Sequence, residues 1–105
     1  MAIEDYDVSE QLTNVQARKL MSFILSTGGS VVFRRHALEE LRKDGCSEAD
    51  ARNVLRNGWL EPNEVGELRN ATWRYRFHTH RMCVVVAFDT FTRCIVVTAW
   101  EKKRS

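Results

Sequence analysis

The sequence is poor in the residues that staple or punctuate a fold: among 105 residues there are three cysteines, one proline and five glycines. Cys46, Cys83 and Cys94 are odd in number and form no C-x-x-C pair. This argues against a disulfide framework and for a reducing, cytoplasmic setting, with Cys83 and Cys94 as small buried residues within strands. No apolar run approaches the roughly 18 residues that a membrane span needs. The start MAIEDYDVSE has neither a basic n-region nor an apolar h-region, so neither a membrane span nor a signal peptide is expected. GxxxxGK[ST], GxGxxG and HExxH are all missing, and no cofactor is expected. A cysteine nucleophile is disfavoured because a thiolate at Cys83 or Cys94 would be desolvated. With no repeat, low-complexity tract or linker, the chain reads as one domain: an acidic segment and helix over residues 1–30, joined to an α+β core over 31–105.

Sixteen basic against fourteen acidic side chains give a formal charge of +2, too little by itself to imply a polyanionic partner. The distribution carries more. Residues 69–105 hold eight basic and two acidic side chains, whereas 1–30 and 31–68 are each mildly acidic. Arginine outnumbers lysine twelve to four, which suits planar, bidentate contact with carboxylate or phosphate.

Thr13 and Gln16 form a capping box ahead of Ala17, Leu20, Met21, Ile24 and Leu25, which repeat at helical spacing up to Gly28-Gly29. Ala37, Leu38 and Leu41 mark a second helix over Arg35 to Lys43, and Ser47 with Asp50 opens a third that carries Ala51, Val54 and Leu55 to Asn57-Gly58. Val31 to Phe33 is either an edge strand or an extended lead into the second helix. The polar stretch around Pro62 holds at most a weak strand at Glu64 to Leu68. Thr72 to Phe88 then reads as a hairpin: Trp73, Tyr75 and Phe77 alternate with Arg74, Arg76 and His78, and Met82 to Phe88 is the apolar partner. Cys94 to Trp100 is the last strand, followed by a short charged tail. Two or three helices packed on a three- to four-stranded antiparallel sheet make an α+β fold.

Arg74, Arg76 and His78 share one strand face by alternation, and Thr98 and Trp100 share a face of the last strand with Val96. If the two faces coincide, the open side of the sheet offers guanidinium groups for phosphate and Trp100, or an exposed Tyr75, for base stacking. The bland alternative is a solvated cationic side of a half-buried strand. His36 lies at a strand-to-helix junction as a candidate general acid or base; otherwise it orients the helix start or bonds Glu40. A three-histidine metal site would require His36 to meet His78 and His80 with no acidic ligand evident, so no metal is expected.

The order of these motifs, Val32-Phe33-Arg34-Arg35-His36-Ala37, Cys46 to Ala51, Gly58, the Arg74-Tyr75-Arg76-Phe77 strand and Val96 to Trp100, resembles a small bacterial domain of unknown function. That domain is related to the BrnT and MqsR toxins and, more distantly, to RelE and colicin-type ribonucleases. The resemblance covers about residues 31–102. It implies helices packed on an antiparallel sheet and a metal-independent toxin-type endoribonuclease acting on RNA, neutralised by a cognate antitoxin or immunity protein. By residue, it implies His36 as general acid or base, Arg76 on the phosphate, Thr98 on a transition-state oxygen and Trp100 orienting a base; Arg74, Tyr75 and His78 are supporting substrate-binding candidates from the strand pattern alone. The long first helix departs from the common core. The competing reading is a non-catalytic protein- or nucleic-acid-binding module of the same fold.

Overall fold

Residues 2–102 are described by the structure, a computed structural model. Helix α1, Asn14–Ser26, begins where the Thr13 and Gln16 capping box satisfies two backbone donors, and it buries Ala17, Leu20, Met21 and Ile24. Gly28, at φ 73°, turns the chain out of the helix into strand β1, Ser30–Phe33. Helix α2, Arg35–Lys43, buries Ala37 and Leu41. Helix α3, Glu48–Asn57, starts at the Ser47 and Asp50 capping box and buries Ala51, Val54 and Leu55. Four strands follow: β2, Glu67–Arg69; β3, Thr72–His78; β4, Met82–Thr90; and β5, Arg93–Glu101. No helix among the described residues is long and apolar enough to cross a membrane.

The α+β class is as expected, but the sheet has five strands in the order β1-β5-β4-β3-β2 and is mixed, because β1 runs parallel to β5. Three apolar residues could not decide the state of β1. Its edge position is fixed from outside, by Ser30 N–H on the Thr92 carbonyl and Arg34 N–H on that of Val96. Strand β2 starts at Glu67 rather than Glu64. The preceding turn is held as a loop by the N-terminal segment: Asn14 Nδ2 donates to the carbonyls of Glu61 and Glu64, at 3.0 and 2.9 Å, and Gln11 Nε2 to that of Gly66. Asn70 and Ala71, both at positive φ, close the β2–β3 hairpin. Of the charged tail, Glu101 ends β5 and Lys102 N–H reaches the Arg81 carbonyl, while Lys103–Ser105 lie outside the described residues.

All three helices bury their apolar faces in one cluster with Tyr75, Phe77, Val84, Val86, Phe88, Cys94 and Val96, on a single side of the sheet. Arg18 joins α1 to α3, donating to the carbonyls of Leu55 and Arg56 at the α3 C-terminus, where a cation is favoured. The other side of the sheet carries the alternate residues of β3, β4 and β5. Burial there keeps thiols protonated: the Cys83 pKa rises from 9.0 to about 11, and on the core side that of Cys94 rises to about 12. The folded state therefore holds these protons more tightly than the unfolded chain. Their contribution to stability is complete below about pH 9 and is lost as pH climbs through 11 and 12. Urea unfolding should accordingly show stability falling over that window, and a thiol reagent should reach Cys83 and Cys94 only after denaturation.

Gly58 sits where α3 ends and the chain pairs with the end of β3: Trp59 and His78 exchange two backbone hydrogen bonds of 2.8 Å. A Cβ at position 58 would lie 2.5 Å from the His78 carbonyl oxygen and against that of Val54 as well, both backbone atoms that cannot swing away. Gly58→Ala should cost about 1–3 kcal/mol, the usual range for overpacking, measured as a shift of the urea midpoint.

Candidate functional site

The uncovered sheet face is built by register. Arg74, Arg76 and His78 of β3 stand opposite Ala87, Val85 and Cys83 of β4. Val85 and Cys83 in turn stand opposite Thr98 and Trp100 of β5. The pairing skips Val97, since Val85 meets Thr98 and Val86 meets Val96. This bulge inserts one residue and reverses the side on which the rest of β5 points. Val96 therefore faces the core and Thr98 and Trp100 face the open side, which corrects the expectation that the three share a face.

The result is a cavity of about 450 Å³. Arg74, Arg76, Val85, Thr98 and Trp100 form its floor and sides, and the loop from Asn63 to Glu67 forms one wall. Across it the Glu64 carboxylate bridges two groups of β3, with Oε1 2.6 Å from His78 Nε2 and Oε2 3.4 Å from Arg76 Nη1. Glu67 stands 3.9 Å from the other Arg76 terminal nitrogen. The Arg76, Glu64 and Glu67 side chains are part exposed, so the pairs at Arg76 add little to stability and serve mainly to orient the groups. Asn14, which anchors the Glu64 backbone carbonyl, makes the N-terminal helix a structural support of this wall.

Four of the residues singled out in the sequence, Arg74, Arg76, Thr98 and Trp100, thus come together. Three do not join them in the groove. Tyr75 is 2% exposed on the opposite face, where its hydroxyl accepts the Leu12 N–H; alternation on β3 forces this, and it cannot be an exposed stacking platform. His78 is on the open face but buried behind Glu64, with Nδ1 unpartnered among the described residues. His36 is exposed on the first turn of α2, a helix whose buried face packs in the core, and it does not line the cavity. His80 is turned to Trp59, 5.1 Å between ring centres. No three His, Cys, Asp or Glu side chains gather as a metal ligand set among the described residues.

Glu64, Glu67 and Arg69 were not legible as site residues. The one available signal was hairpin arithmetic: a turn at Asn70-Ala71 places Glu67 opposite Arg74 and so puts an acid beside the cationic face. Ala71 is a poor residue for positive φ and hid that turn. Nothing in the local sequence marks Glu64, which is placed by contacts from residue 14 and from β3.

Chemically, the groove offers a carboxylate able to accept a proton, a guanidinium beside it, a hydroxyl on the floor and an indole for stacking. Searches against protein-family models, curated proteins and solved structures give no match to this chain.

Proposed function

We propose that the protein is a metal-independent endoribonuclease of toxin type, acting in the cytoplasm on single-stranded RNA laid across the open sheet face. The observation that supports it best is the Glu64 carboxylate held between Arg76 and His78 at the wall of the groove that Thr98 and Trp100 also line. In this reading Glu64 takes the proton of a 2′-hydroxyl, and the 2′-oxygen bonds to phosphorus. The bond from phosphorus to the 5′-oxygen breaks, leaving a 2′,3′-cyclic phosphate. Arg76 and the Thr98 hydroxyl stabilise the charge that grows on the phosphoryl oxygens, and Trp100 stacks a base. His78 holds Glu64 from behind and raises no group into the open side. The leaving 5′-oxygen takes its proton from water, so the enzyme lacks a contribution that a positioned acid typically makes, about 10²–10⁴-fold. A cognate antitoxin or immunity protein would neutralise it by covering this groove.

The test is incubation of the purified protein with a defined RNA in the presence of EDTA, with mass spectrometry of the ends. Fragments ending in 2′,3′-cyclic phosphate are expected. If His36→Ala abolished cleavage while Glu64→Gln did not, the acid–base role would pass to His36. Binding without cleavage would favour a non-catalytic RNA-binding module, a reading that gains from the position of His36 outside the groove.

A further inference from the structure

One cross-sheet row of the open face runs Glu67, Arg74, Ala87, Ile95 and Val32, from one edge of the sheet to the other. Its centre is made of short apolar side chains, so long ones at the rim can lean over it. Arg74 enters from β3. Arg34 enters from the opposite edge: Val31 and Phe33 pack on the core, so Val32 and then Arg34 follow on the open side, and Arg34 is exposed. With strands about 4.8 Å apart, β1 and β3 are separated by roughly 14 Å at the backbone, within the joint reach of two extended arginines. Arg69 of β2 lines the same groove.

Arg69 and Arg74 line the groove together, and Arg34, outside its lining, stands near enough for its charge to reach Arg74. Burial first, and then the charges of Arg34 and Arg69, pull the Arg74 pKa down, opposed only by Glu67. Arg69 has a loose pairing with Glu67 at 3.8 Å. Neither Arg34 nor Arg74 has an ion pair among the described residues, and the Nε of Arg74 is buried without a hydrogen-bond partner. Arg76, two residues along the same face, is in contrast engaged by Glu64 and Glu67. Like charges held together around an unfilled donor are unfavourable empty and favourable around an anion with several oxygens.

We propose that Arg34, Arg69 and Arg74 form a second phosphate subsite beside the one at Arg76, so that the groove takes RNA through two consecutive phosphates. This rests on the reading of the groove as an RNA site. Arg74 and Arg76 are about 6.7 Å apart along the strand, a step that suits neighbouring phosphates of a single strand. The subsite also sets a minimum substrate: a dinucleotide with one phosphodiester fills only the Arg76 position, and one further phosphate at either end fills the other.

The experiment compares kcat/KM for UpU, pUpU and UpUp with the wild-type chain, Arg34→Gln and Arg74→Gln. In the wild type one of the two phosphorylated substrates should exceed UpU by about tenfold or more, as expected for charge-assisted bidentate contacts. In Arg34→Gln that ratio should fall towards one. A merely structural loss at the start of α2 would lower all three substrates alike and leave the ratio intact. Equal rates for the three substrates in the wild type, or a ratio undiminished in both variants, overturns the proposal. Inorganic phosphate, titrated while the arginine Nε–H resonances are followed by NMR, separates this outcome from failure of the ribonuclease reading. If no dinucleotide is cleaved, saturable shifts at Arg74 that vanish in Arg34→Gln still support the anion subsite, and their absence overturns it.

Discussion

If the groove cleaves RNA as proposed, Glu64→Gln is expected to lower kcat by about 10²–10⁴-fold, the range spanned by a positioned general base. The substitution is nearly isosteric. The amide oxygen can still accept from His78 Nε2, and Asn14 still holds the Glu64 carbonyl, so the loop stays in place. What disappears is the ability to accept a proton and the negative charge 3.4 Å from Arg76. The two losses act in opposite directions on two measurements. Cleavage falls, while affinity for a 2′-deoxy analogue that cannot react should hold or rise, because Arg76 is freed and a phosphate no longer approaches a carboxylate. A variant that had merely lost its fold would lose both. Full cleavage by Glu64→Gln would remove the residue from the mechanism.

Phe77→Ala should destabilise the protein by about 3–5 kcal/mol, a large part of the 5–15 kcal/mol typical of whole domains. Phe77 is completely buried, the largest such side chain in the core. It sits on β3 between Arg76 and His78, and its ring lies under the Arg18 guanidinium, 5.6 Å from the ring centre. Removing the ring leaves a cavity between the sheet and α1, and it takes away the surface on which Arg18 rests while capping α3. Urea denaturation with an unchanged slope and a lower midpoint is the expected result. A loss below about 1 kcal/mol would mean that α1 and α3 collapse into the space, and that the core is far more plastic than its packing implies.

These two substitutions mark the division between what was legible in the chain and what was not. The core position of Phe77 follows from alternation along seven residues, and so does the exposed face of Arg76. The Glu64 position depends on Asn14, fifty residues earlier, and on contacts with β3, and that of Glu67 on a hairpin whose turn carries Ala71 where glycine would have announced it. Tyr75 shows the limit of naming a residue type without respecting its face: an aromatic beside two arginines suggested stacking, yet the strand period sends it to the core.

By itself the sequence determined the three helices, through Thr13 with Gln16, Ser47 with Asp50 and apolar residues at helical spacing, and it determined the β3–β4 hairpin and the α+β class. Those signals are local, since a cap or an alternation involves residues within a turn or two of one another. Tertiary structure alone decided that β1 joins β5 as a parallel edge, that the bulge at Val97 sends Thr98 and Trp100 to the side of Arg74 and Arg76, and that Glu64 closes the groove while His36 stays out of it. Each of these depends on register between segments distant in the chain. A single inserted residue in a strand reverses every face beyond it, and no periodicity within that strand records which partner it will meet.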